Sequence, residues 1–220
     1  MSQPPFHRLV LAVAHGEAGP ALLGRAAEAA RLLRLALHCV LIEDEALAQL
    51  AALPFVRELR LPTHDWRPLD PARLAAEHEA AEAGLRQVLA ALAARLGIAQ
   101  ALEVRRGDPA LCFGGLCAAG DIVVLADPAH RADRLRQLAR HSPAAVLLLP
   151  ARAAHPAAFA ALAGDPALAT AERLAHAAGV ALHVVAEADD KVEGLLVMGH
   201  ESWERAEALV AGQGVVVLLV

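Results

Sequence analysis

Four short apolar runs restrict the fold of this chain more than any other feature. They are Arg8–Ala14 (RLVLAVA), residues 36–43 (ALHCVLIE), Asp121–Ala126 (DIVVLA) and Ala145–Leu149 (AVLLL). None alternates apolar with polar residues, as a strand with one wet face would. Such runs read as strands covered on both faces. Helical segments separate them. Residues 20–35 are rich in Ala and Leu, and Pro71–Leu96 carries an apolar stripe at Leu74, Ala81, Leu85, Leu89, Leu92 and Leu96. Asp70 and Pro71 form an N-cap and first-turn pair for that helix, and Gly97 supplies its C-cap. A short strand at 101–105 and helices at 108–119 and 130–140 complete the alternation. The pattern predicts an α/β fold, an open parallel sheet with helices on both faces.

The rest of the chain repeats this plan in shorter form. RLVLAVAHGEAGPALLGRAAEAARLLRLALHCVLIEDE and AAFAALAGDPALATAERLAHAAGVALHVVAEADD both read strand, Gly-containing turn, helix, strand, acidic loop. DIVVLADPAHRADRLRQLARHSPAAVLLLP and EGLLVMGHESWERAEALVAGQGVVVLLV both read strand, loop, helix, strand. Nothing in the second half matches residues 47–119. Two units are expected, 1–150 and 151–220, joined at 150–156 and related by repetition. The second is a β-α-β-β-α-β remnant without its middle.

Composition excludes several classes. The chain is 57% hydrophobic but only 3% aromatic, so the core must be built from Leu, Val and Ala. Nineteen of the twenty basic residues are Arg, and no basic stripe interleaved with aromatics appears, which argues against a nucleic-acid partner. The longest apolar runs, such as 215–220, are far too short to span a bilayer. The first eight residues have no secretory apolar region, so a cytoplasmic location is expected. The cysteines, Cys39, Cys112 and Cys117, are odd in number and lack framework spacing, which fits a reducing compartment. Cys112 and Cys117 are five residues apart and do not stack on one helix face. They read as structural thiols more readily than as a redox or metal pair.

The segment RRGDPALCFGGLCAAGDIVVLADP runs strand, Gly-x-Pro, Ala-containing helix, Asp-Ile-Val-Val, with Gly107, Pro109, Ala118, Asp121, Val123 and Val124 at the defining positions. It resembles the matching stretch of the universal stress protein family. RHSPAAVLLLP, residues 140–150, resembles the segment leading through that family's fifth strand. The order and spacing of these pieces carry the resemblance over most of the first unit. It implies a Rossmann-like sheet of the adenine nucleotide alpha hydrolase-like type, with five parallel strands in the order 3-2-1-4-5.

ATP-binding members cradle the triphosphate with a Gly-x2-Gly-x9-Gly-Ser/Thr loop after the fourth strand. Its glycines let backbone N–H groups approach phosphate without a Cβ in the way. Here Ala126 and Asp127 stand at the start of that loop, and Pro128 lacks an N–H. The loop is also shorter than the family's. Ala14, followed by His15, replaces the acidic residue that ends the first strand. The second unit keeps Gly199, but Glu201 and Trp203 follow. The resemblance therefore implies a universal stress protein fold whose ATP loop has degenerated, and no cofactor is expected.

Open α/β sheets bind ligands at the carboxyl ends of their strands. Those ends carry His15 and Glu17, then Glu43, Asp44 and Glu45, then Asp127 and His130. His15, Glu43, Asp127 and His130 are the candidate pocket residues. Imidazole and carboxylate suit divalent ions, but solvated loops are polar too, and no metal site is assigned. His78 falls on the apolar stripe of the long helix and reads as a packed, hydrogen-bonded residue. His38 and His183 occupy matching positions in the two units. Residues 44–70 form an insertion holding Phe55 and Trp66, either a flap, a partner surface or, as the plainer expectation, simple packing. Ser2, Ser142 and Ser202 lie outside any Gly-x-Ser-x-Gly, and there is no CxxC, HExxH or P-loop. No catalytic residue is assigned.

These readings predict a non-catalytic regulatory or scaffold protein acting as a homodimer or with an unidentified protein partner. Residues 145–149 and 215–220 are expected to pair within the chain. The helices missing from the second unit are expected to leave an apolar sheet face bare. The alternative is a small-ligand or nucleotide sensor using the strand-end pocket of the first unit.

Overall fold

The computed structural model describes residues 5–14, 19–60, 64–127, 133–150, 156–186, 192 and 194–220. The first half contains strands β1 (Arg8–Ala14), β2 (Ala36–Asp44), β5 (Gln100–Gly107), β6 (Asp121–Ala126) and β7 (Ala145–Leu149). Its helices are α1 (Pro20–Leu33), α2 (Glu45–Ala51), α3 (Pro71–Leu96), α4 (Pro109–Gly114) and α5 (Asp133–Arg140). A two-stranded hairpin, β3 (Arg57–Arg60) and β4 (Asp65–Pro68), sits between α2 and α3. The second half follows as β8 (Phe159–Leu162), α6 (Leu168–Ala178), β9 (Leu182–Val185), β10 (Leu195–Met198), α7 (Trp203–Gln213) and β11 (Val216–Leu219).

Among the described residues, nine strands form one open sheet in the order β5-β2-β1-β6-β7-β11-β10-β8-β9. Counting the first-half strands of this sheet in chain order, the left side reads 3-2-1-4-5, as expected. Every neighbouring pair is parallel except β7 and β11, which run antiparallel with Leu148 opposite Val217. The expected pairing of residues 145–149 with the chain's last strand is therefore present.

The register repeats between the halves. Leu9 lies between Leu37 and Ile122, while Phe159 lies between Leu182 and Leu195. Ile122 faces Ala145, and Leu195 faces Val216. His38 and His183 fall at the same place in this scheme, beside Val10 and Ala160.

Because side chains alternate along each strand, the sheet has two cores. One joins Leu9, Leu11, Leu37, Cys39 and Leu41 to Phe159, Ala161, Leu195 and Val197 beneath α1, α3 and α6. The other joins Val10, Val40, Val123 and Val146 to Ala160, Leu196 and Val217 beneath α4, α5 and α7. Both cores run across the boundary near residue 150.

Local sequence explains the helix bounds. Asp70 accepts the Ala72 N–H at 3.0 Å to open α3, and Gly97 closes it with φ of 67°. Asp108 accepts the Leu111 N–H at 2.8 Å to open α4. That helix ends at Gly114 rather than near residue 119, because the Gly114–Gly115 pair loses more backbone entropy in a helix than any other residues would.

The second half corrects one expectation. Its sheet face is not bare. Ala171, Leu174 and Ala175 of α6 cover one side, and Trp203, Ala206, Leu209 and Val210 of α7 cover the other. Every residue of β8, β10 and β11 is buried. Among the described residues of this half, it is edge strand β9 that stays uncovered, where Val184 is exposed.

Opposite the strand carboxyl ends, a polar row crosses four strands. Asp121 on β6 holds Arg8 on β1 at 2.9 Å, and Arg8 Nη1 lies 2.7 Å from His38 Nδ1 on β2. His38 Nε2 lies 3.1 Å from Glu103 on β5, whose carboxyl the Arg105 hydrogen bond holds below its ordinary range.

Candidate functional site

Two separate depressions open at the carboxyl ends of the first-half strands. The first is a recess of about 230 Å³ where the strand order reverses between β1 and β6. All its described lining side chains are apolar, among them Ala12, Ala14, Ile42, Phe113, Ala126 and Leu135. Asp127 follows β6 directly. It adopts a left-handed φ of 48°, a conformation that aspartate tolerates better than most residues. Its N–H donates to the Leu149 carbonyl of β7 at 2.7 Å. Desolvation lowers the pKa of Arg25 on α1, and the Asp127 carboxylate pulls it back up.

The second depression is a cleft of about 450 Å³ between α2 and α3, over the ends of β2 and β5. Glu43 is buried at its base. Arg106 Nε donates to Glu43 Oε2 at 2.7 Å, and that hydrogen bond pushes the guanidinium pKa up. His78 Nδ1 lies 3.9 Å from Glu43 Oε1. Ala48, Ala51, Leu74 and Ala75 form the apolar walls. Two other lining carboxylates already serve α2. Asp44 accepts the Ala46 N–H at 2.9 Å, and Glu45 accepts from Gln49 at 3.3 Å.

Of the four expected pocket residues two are described, Glu43 in the cleft and Asp127 directly after β6. His15 and His130 lie outside the described residues, as does Glu17. Glu43 turns away from the recess because it follows Ile42 on β2, and neighbouring residues on a strand point to opposite faces. Ile42 lines the recess, and Glu43 lines the cleft.

Sequence reasoning missed Arg106 and the pairing of His78 with Glu43. The signal was present: a histidine one turn beyond Leu74 on a buried stripe requires a polar neighbour, and β2 ends in the acidic residues 43–45.

Cys39 lies in the core, and burial pushes its thiol up to about 12. Burial also raises Cys117, whose Sγ–H donates to the Phe113 carbonyl at 3.4 Å. All three cysteines are free thiols. Among the described residues, no group of three or more His, Cys, Asp or Glu side chains is arranged to hold a metal ion, and no helix is long and apolar enough to cross a membrane.

The insertion departs from the expectation of simple packing. Phe55 is 76% exposed and Trp66 is 58% exposed. Among the described residues the hairpin strands pair only with each other, and an ion pair between Glu58 and Arg73 ties the hairpin to α3.

No family model matches the sequence, and no curated protein matches it. Solved structures do. A universal stress protein from Archaeoglobus fulgidus DSM 4304 aligns over 96% of this chain and 95% of its own, with a TM-score of 0.59 and 11% identity. A provisionally assigned universal stress protein from Pseudomonas aeruginosa UCBPP-PA14 aligns over 96% of this chain and 69% of its own, with a TM-score of 0.44 and 15% identity. A protein of unknown function from Pseudomonas aeruginosa PAO1 aligns over 94% and 66%, with a TM-score of 0.45 and 15% identity. The chain thus has the fold of the universal stress proteins, an open and mostly parallel sheet flanked by helices.

Proposed function

We infer that this chain is a non-catalytic regulatory or scaffold protein of the universal stress type, which acts by association and does not bind ATP in that family's manner. The segment after β6 carries the second part of this reading. A phosphate-binding turn there needs free backbone N–H groups. The Asp127 N–H is already bonded to Leu149, and the next residue in the sequence, Pro128, has none. The Asp127 carboxylate would also repel phosphate. The repeated strand register supports descent from two fused units. The β7–β11 seam then serves inside one chain as a junction that separate subunits would otherwise make.

Calorimetric titration with Mg-ATP, AMP and cyclic AMP tests the reading. No saturable heat is expected from any of them. Saturable ATP binding that AMP displaces would overturn it.

A second reading, a small-ligand sensor, is favoured by the α2–α3 cleft, where a buried carboxylate, an imidazole and a guanidinium meet over apolar walls. A metabolite that raises the melting temperature of the wild type but not of Glu43→Gln would support it. No such compound in a broad thermal-shift screen would leave the scaffold reading standing alone.

A further inference from the structure

We propose that the insertion formed by α2 and the β3–β4 hairpin is a self-association surface on which a second copy of this chain docks across a two-fold axis. This inference rests on the association reading above and names the surface that carries it.

Among the described residues of this insertion, six large apolar side chains project. Phe55 and Trp66 are the most exposed, and Leu47, Leu50, Leu53 and Leu59 are between 39% and 47% exposed. Leu47 and Leu50 share one face of α2, a single turn apart. Leu59 and Trp66 face each other across the hairpin. At about 150–250 Å² for each large side chain, these fractions leave on the order of 600 Å² of apolar surface on each copy. That is the upper limit for the largest apolar patch of an ordinary monomer. Two such patches pressed together remove about 1,200 Å², the lower bound for a specific, stable interface.

The hairpin needs a partner of this kind. A lone two-stranded ribbon is marginal in water and gains stability by packing an apolar face. Among the described residues β3 and β4 pair only with each other, and every described β4 side chain is exposed.

Charge favours a second copy in an antiparallel, two-fold arrangement. The α2 end of the insertion carries exposed Asp44 and Glu45. The hairpin carries exposed Arg57 and Arg67 against a single exposed acid, Asp65, a net positive charge. A two-fold axis across the middle of the patch lays the acidic start of α2 in each copy over the more basic hairpin of the other. Such a contact is self-complementary and closes at two copies.

Light scattering after size exclusion, with dilution series on the full chain, tests the proposal. The wild type is expected near twice its 23.0 kDa mass. Phe55→Ser and Leu50→Glu should each raise the dimer dissociation constant about 30-fold or more, the size of a hot-spot loss. Both positions are exposed and lie outside the hairpin strands, so folding is retained. Acrylamide quenching of Trp66 should rise on dilution and in the Phe55→Ser variant, against the constant background of buried Trp203. Val184→Lys on the free edge of β9 should change neither. A dimer untouched by the patch variants, or dissolved by Val184→Lys alone, overturns this surface and leaves the association reading intact. A wild type that stays monomeric at every concentration overturns both.

Discussion

Phe159 opens β8 with no exposure, between Leu182 of β9 and Leu195 of β10, in the core that also holds Leu9 and Leu37 of the first half. Replacing it with alanine removes an aromatic ring from a site closed on both flanks by strands and above by α6. Core Phe→Ala changes cost about 3–5 kcal/mol, depending on how far the site collapses. Strands on either side prevent collapse here, so the loss belongs near the middle or top of that range. For a chain of this length each kcal/mol lowers the melting temperature by about 2–4 °C, giving a drop of roughly 8–20 °C. The location of that loss is the informative part. Far-UV circular dichroism is weighted toward α1 and α3 in the first half, whereas Trp203 fluorescence reports α7 in the second. In a Trp66→Phe background both signals should move together in Phe159→Ala, because the sheet and both cores are continuous. A Trp203 transition that falls while the dichroism keeps a step at the wild-type temperature would refute the reasoning. The halves would then unfold as separate domains.

Cys39 should resist Ellman's reagent in the native protein at pH 8 and react once the chain is unfolded in guanidinium, since burial keeps its thiol protonated. Its folded pKa, about 12, lies above its ordinary value of 9.0. Stability linked to the thiol is therefore complete below pH 9 and is lost as pH climbs toward 12. Cys39→Ala should flatten that part of an alkaline denaturation curve, and an unchanged slope would count against it. Gly194→Ala should destabilise by about 2 kcal/mol or more in urea titration. Gly194 has φ of 130°, and a Cβ there would meet the Ala158 carbonyl oxygen at 2.6 Å. A loss below about half a kcal/mol would mean that the backbone entering β10 relaxes freely.

The strands were the most legible part of the sequence. Arg8–Ala14, Asp121–Ala126 and Ala145–Leu149 form as read, because a strand buried on both faces leaves an unbroken apolar run with sharp ends. The long helix was equally clear, since Asp70, Pro71 and Gly97 mark its limits. Which face a helix covers was not legible. Two helices, α6 and α7, suffice for the second half because they lie on opposite sides of the sheet, and counting helices carries no such information. The candidate site was legible in part, since His15 and His130 lie outside the described residues. Glu43 and Asp127 both end strands, yet the alternation at Ile42 and Glu43 sends the carboxylate to the α3 side. The exposure of Phe55 and Trp66 was equally hidden, because a short apolar hairpin has the same sequence whether it is packed or bare.

The reversed pair at the centre of the sheet also sets the path of the chain. Since β7 and β11 run in opposite directions, the end of β7 and the start of β8 lie on the same rim of the sheet. Three strand spacings separate them, about 14 Å at 4.7–4.9 Å each. The nine residues from 150 to 158 reach about 30 Å when extended. Had the second half continued parallel to the first, the same tether would also have needed to descend the full height of the sheet. The present path therefore leaves slack. Trimming the tether by three or four residues still leaves about 17–20 Å of reach, enough for the 14 Å span.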